Sequence, residues 1–110
     1  MIDTDRELLE YAAKAAGFQN YTMRGAYVFV ETGAARGNSG YYWNPLADDG
    51  DALRLAVKLK IDIRPSMSGS SKFRYAVYDG HTYGEVDHDP LAATRRAIVR
   101  AAAEIGKAMV

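Results

Sequence analysis

The chain contains no cysteine, which excludes disulfides, thiolate zinc sites and thiol catalysis. Neither charge is in surplus: 14 basic residues face 14 acidic ones, and the isoelectric point is near neutral at about 6.7. No global field therefore draws the chain toward nucleic acid or an anionic membrane. No apolar run approaches the roughly 20 residues that a bilayer span requires. The N-terminal Met1-Ile2-Asp3-Thr4-Asp5 is acidic and lacks the basic-then-apolar order of a signal peptide. The expectation is a soluble, cytoplasmic protein.

Imidazole is scarce as well, with His81 and His88 alone. Asp87-His88-Asp89 invites an acid–base or metal reading, but Asp89 is better explained as a helix cap. Nucleophilic catalysis needs a hydroxyl, a base and an orienting group, and no pattern of that kind stands out. The expectation is a non-enzyme with no catalytic residues, no metal and no cofactor.

What is present is a chain of 110 residues with 48% hydrophobic content, one α+β domain spanning residues 1–110. A chain of this length buries about two-thirds of its unfolded surface. Thr4 and Glu7 form a capping box ahead of Leu8, Leu9, Ala12, Ala15 and Ala16, and Gly17 supplies a left-handed stop, so the first helix covers residues 4–16. Tyr27-Val28-Phe29-Val30 is a strand apolar on both faces, which argues for burial on both sides. Tyr41-Tyr42-Trp43 is a short second strand. Pro45 keeps Asn44 extended, and Asp48 is the N-cap of a helix over about 48–59. Asp51 is placed as the reciprocal half of a capping box, with Leu46 as a staple onto Ala52 or Leu53.

Ile61 and Ile63 alternate with Asp62 and Arg64 in a strand stopped by Pro65, and Ser66 to Ser71 is a connector. Lys72 to Tyr78 and His81 to Asp87 flank Asp79-Gly80, a two-residue hairpin signal. That register pairs Tyr78 with His81, Ala76 with Tyr83 and Arg74 with Glu85 on one face. The opposite face pairs Val77 with Thr82, Tyr75 with Gly84 and Phe73 with Val86. The first face is read as polar, held by an Arg74–Glu85 ion pair; the second carries the apolar ends. Asp89-Pro90 opens a last helix whose apolar side holds Leu91, Thr94, Ile98, Ala101, Ala102, Ile105 and Met109. The expected order is α-β-β-α-β-β-β-α, one antiparallel sheet with helices packed on both faces. The Ala-rich sides of the first and last helices also suit a homodimer.

Three clusters are candidates for function. The loop Gly33–Gly40, with Arg36 and Asn38, leads into Tyr41, Tyr42 and Trp43. Its glycines lack the spacing and lysine of a phosphate loop. Small polar residues beside rigid aromatics instead suit an adaptable protein contact. Arg95, Arg96 and Arg100 form a basic helical face that would serve a nucleic-acid regulator, although Glu104 is spaced to pair with Arg100 and nucleic acid is an unlikely partner of a neutral chain. Asp48, Asp49 and Asp51 would serve a metal-dependent hydrolase. The ligand set stops there, however, because Ala52-Leu53-Arg54-Leu55 follows, and helix capping explains all three acids.

Two stretches carry a resemblance. Trp43-Asn44-Pro45-Leu46-Ala47-Asp48-Asp49-Gly50-Asp51-Ala52-Leu53-Arg54-Leu55-Ala56 and the Ala- and Arg-rich run from Ala92 to Gly106 resemble small phage and prophage proteins of the phage ABA-sandwich domain family. The resemblance covers the second half of the chain, and the first 40 residues add little. It implies an antiparallel sheet between helices, an origin in a phage or prophage, and residence in the bacterial host cytosol. It implies no activity and no catalytic residues. Ala47 departs from the hydroxyl residue such proteins often carry there, leaving the cap to Asp48. The expected role is that of an accessory protein acting through contacts with a host or phage protein.

Overall fold

The computed structural model describes residues 4–25, 27–31, 40–65, 73–78, 80–86 and 89–109. The order is α1 (Asp5–Ala15), β1 (Tyr21–Arg24), β2 (Tyr27–Glu31), β3 (Gly40–Trp43), α2 (Asp49–Leu59), β4 (Asp62–Pro65), β5 (Phe73–Tyr78), β6 (His81–Val86) and α3 (Pro90–Ala108). The class is α+β, as expected. The strands, however, form two three-stranded antiparallel sheets, β1-β2-β3 and β4-β5-β6, rather than one. The additional strand is β1, joined to β2 through Gly25 in the left-handed region at φ 60°.

Local chemistry starts and stops each helix. In α1 the Thr4 hydroxyl accepts the Glu7 N–H at 3.2 Å, and Glu7 returns a carboxylate oxygen to the Thr4 N–H at 3.2 Å. Its end is a Schellman closure: Gly17 N–H bonds Lys14 C=O, and Phe18 N–H bonds Ala13 C=O. Helix α2 ends the same way, with Ile61 N–H on Ala56 C=O and Lys60 at φ 58° in the position glycine normally takes. Asp89 caps α3 by accepting the Leu91 N–H at 2.9 Å, with Pro90 in the first turn.

Helix α3 is the hub, packing on α1, α2, β5 and β6. Its buried band is therefore wider than a single stripe: Ala93, Ala97, Ile98, Val99, Ala101, Ala102, Ala103 and Gly106 are all inside. The ends of the expected stripe, Leu91 and Met109, are exposed instead. Ala12 and Ala13 of α1 meet this band and are fully buried. The Ala-rich faces that suit a homodimer are thus spent within the chain.

The β5–β6 register is the expected one throughout, from Tyr78↔His81 to Phe73↔Val86, and Gly80 takes the left-handed conformation its turn requires. The assignment of faces is reversed. Ala76 is fully buried, and Tyr78 and Tyr83 pack on the core, so this face lies inward. Glu85 on that face turns to Arg96 and Arg100 of α3, and this pairing lets a carboxylate point toward the core. In β2, Val28 and Val30 are buried while Tyr27 and Glu31 are exposed. The strand is covered on one face, contrary to the two-sided burial expected from its composition. Its outer face is shielded by neighbouring side chains: Arg24 lies 4.6 Å from the Phe29 ring centroid, and Tyr42 stands edge-on to Phe29 at 5.2 Å.

Candidate functional site

Strand β3 divides its aromatics between two surfaces. Tyr41 and Trp43 stand opposite Val30 and Val28 on the inner face, and Tyr42 stands opposite Phe29 on the outer face. Alternation along a strand requires this split. Outside, Tyr42 meets Tyr27 at 5.9 Å between ring centroids as well as Phe29, and Arg24 lies over Phe29. Tyr27 and Tyr42 are 50% and 58% exposed, so the cluster presents two tyrosines and an arginine to solvent.

Inside, β3 borders a groove of about 380 Å³ closed by the C-terminal end of α1 and by α2. The Schellman turn after α1 delivers Phe18 into it. Phe18 stands edge-on to Trp43 at 5.0 Å and to Tyr41 at 6.4 Å, so three rings form one wall. The other wall comes from one side of α2: Asp51, Arg54 and Lys58 follow at intervals of three and four residues and share a face, with Leu55 beside them. The Lys58 ammonium lies 6.0 Å from the Phe18 ring centroid.

The acids at the start of α2 are committed to structure. Asp48 accepts the Asp51 N–H at 2.8 Å as the N-cap. Asp51 does not complete a capping box: one of its oxygens accepts the Asn44 N–H at 2.9 Å, and the other takes Arg54 at 2.8 Å. Asp is too short to reach back to its own cap, so it closes the preceding turn instead. Asp49 pairs with Arg95 at 2.6 Å. Leu46 packs on the core and Leu53 is exposed, which leaves Ala52 as the staple's only buried candidate.

The basic face of α3 is likewise engaged. Arg95 donates to the Leu46 carbonyl at 2.8 Å as well as to Asp49. Arg96 bridges Asp5 at 2.8 Å and Glu85 at 3.6 Å, and Arg100 pairs with Glu85 and donates to the Gly84 carbonyl at 3.2 Å. Glu104 pairs with Lys107 at 3.1 Å, so the expected Arg100–Glu104 pair gives way to Arg100–Glu85 across the fold. Arg36, Asn38, His88 and most of the Gly33–Gly40 loop lie outside the described residues, as does the 66–71 connector.

The chain matches no family model, no curated protein and no solved structure. The geometry alone therefore ranks the candidates. Tyr41 and Trp43 line the groove and Tyr42 lies on the opposite surface; Phe18, Arg54 and Lys58 are the groove residues that sequence reasoning missed. The spacing of Asp51, Arg54 and Lys58 on one helix face was the available signal. Among the described residues no helix is long and apolar enough to cross a membrane.

Proposed function

We propose that this chain is a phage or prophage accessory protein of the bacterial host cytosol, non-enzymatic and acting through protein–protein contacts. The observation that carries the reading is the outer aromatic cluster of β1-β2-β3, where Tyr27 and Tyr42 are exposed beside Arg24 and half-buried Phe29. Tyr and Arg are over-represented among residues that dominate binding energy: Tyr presents a large rigid area with two torsions to fix, and Arg a planar fork of donors that stacks on rings. Here the rings are already held against one another, so little ordering remains to oppose association. The phage assignment is supported by the resemblance of residues 43–56 and 92–106.

The test is capture of partners from host lysate by the parent and by a Tyr27→Ala, Tyr42→Ala double variant. Melting curves of both establish that the fold persists. A protein retained by the parent and lost from the double variant is the expected result. Identical recovery by both, or no retained protein, overturns the proposal.

A further inference from the structure

The groove behind β3 has a chemistry different from that of the outer face. Three rings, Phe18, Tyr41 and Trp43, line one side, and Arg54 and Lys58 stand on the other. Asp51 faces them, but both its oxygens are occupied, by the Asn44 N–H and by Arg54. Lys58 has no carboxylate within ion-pair distance among the described residues. Arg54 gives one N–H to Asp51 at 2.8 Å and stands 3.9 Å from Asp48, but its side chain is 72% exposed, so the rest of the guanidinium still offers donors. The lining carries two positive charges and one negative. It is complementary to a monoanion such as a carboxylate, and less so to a phosphate, which carries about two negative charges.

Volume narrows the ligand further. About 380 Å³ lies at the small end of ligand pockets and accepts one large side chain with its terminal group. Tyr41 is 44% exposed, and β3 is the edge strand of its sheet among the described residues, so a longer chain can leave the groove along a strand edge. An extended peptide gains backbone hydrogen bonds at such an edge, which a free small acid forgoes.

Resting on the protein-contact reading, the geometry points to this groove as a receptor for the C-terminal residue of a partner polypeptide. The last side chain, aromatic or large and apolar, lies on Phe18, Tyr41 and Trp43, and the terminal carboxylate sits between Lys58 and Arg54. Trp43 is the only tryptophan in the chain and reports occupancy directly.

The experiment titrates the intact protein with Gly-Ser-Gly-Ser peptides extended by Phe, Trp, Leu or Ile, following Trp43 fluorescence for the Phe, Leu and Ile peptides and amide chemical shifts for all four. Each is used with a free C-terminus and as its C-terminal amide; 3-phenylpropionate and phenyl phosphate are the remaining probes. Saturable binding of a free-acid peptide, weakened at least about tenfold by amidation and by Lys58→Glu, is the expected result, since one charge-assisted hydrogen bond is lost. Lys58→Gln gives a smaller loss in the same direction. Equal binding of acid and amide overturns the proposal, as does tighter binding of phenyl phosphate. Binding of 3-phenylpropionate as tight as any peptide reassigns the groove to a small acid. Absence of saturation by every peptide up to a few millimolar also overturns it. Failure here with Tyr42-dependent partner capture intact removes only the groove assignment, whereas peptide binding without that capture removes only the outer face.

Discussion

Replacing Gly106 with alanine tests the packing at the centre of the molecule. A Cβ at this position would lie 2.0 Å from the Tyr11 carbonyl oxygen and 2.7 Å from its carbonyl carbon. Both are backbone atoms, so no side-chain rotation relieves the clash. Carbon contacts are comfortable at about 3.5 Å or more, so α1 would have to withdraw by roughly 1.5 Å. That movement loosens the contact in which Ala12, Ala13, Ala102 and Ala103 are fully buried. Overpacking of this kind costs about 1–3 kcal/mol, and this clash belongs at the upper end. The helix propensity of alanine over glycine returns about 1 kcal/mol. The net expectation is a loss of about 2 kcal/mol, or a fall in Tm of about 10 °C for a domain of this size.

Urea denaturation and thermal melting measure the loss. Gly50→Ala is the control, because the atoms nearest a methyl there are side-chain ends of Arg54 and Asp48 at 3.1–3.2 Å rather than main chain; with the propensity gain of about 1 kcal/mol it should cost far less than Gly106→Ala. A Tyr11→Ala change should not rescue Gly106→Ala, since the obstructing atoms are main chain. A Gly106→Ala protein as stable as the parent would refute the close α1–α3 approach.

Other substitutions probe the polar contacts. Glu85→Gln leaves Arg96 and Arg100 short of a partner whose side chain is only 14% exposed, and should cost about 1–3 kcal/mol by urea denaturation. Asp51→Asn weakens the bonds to Asn44 and Arg54 at a residue 8% exposed. A loss of about 1–3 kcal/mol is expected, and a neutral result would separate that turn from stability. Burial, with Glu10 adding to it, raises the Tyr21 phenol above its ordinary pKa of 10.0. The unfolded chain then releases this proton first, so the contribution is intact below pH 10 and is lost as pH rises through the folded value. Tyr21→Phe should flatten the alkaline fall in stability and remove one late-titrating phenol from the ultraviolet titration.

The features legible in the sequence are those decided within a few residues. Thr4 and Glu7, Asp48, Asp89 with Pro90, and the Asp79-Gly80 hairpin register each depend on atoms supplied by near neighbours. β1 was legible in principle, because Gly25-Ala26 between Tyr21–Arg24 and Tyr27–Glu31 has the spacing of a two-residue hairpin. The hairpin's inward face was not legible, since Arg74 and Arg100 are both chemically suitable partners for Glu85, and only tertiary placement brings Arg96 and Arg100 to it. The division into two sheets follows the same logic: nothing local to β3 or β4 records that α2 intervenes without their pairing. At the groove, Tyr41 and Trp43 were identifiable by composition, whereas Arg54 and Lys58 were not, because nothing local to α2 records that Phe18 shares the groove with them.

The arginines of α3 show why a neutral total charge says more here than a local basic run. Arg95 reaches the turn before α2 and Asp49 within it, Arg96 reaches Asp5 at the start of α1, and Arg96 and Arg100 converge on Glu85 of β6. Together these contacts join the hub helix to α1, α2 and β6, so the same charges that would constitute a nucleic-acid face serve to orient the packed layers. Phosphates would have to displace carboxylates already held in these positions, and each displaced acid would then repel the incoming backbone. Counterion release from a nucleic acid favours cations that begin unpaired. Lys58, with no acid beside it among the described residues and an aromatic wall opposite, meets that condition better than any arginine of α3. Among Arg95, Arg96, Arg100 and Lys58, the positive charge without an ion-pair partner among the described residues is therefore Lys58, at the groove.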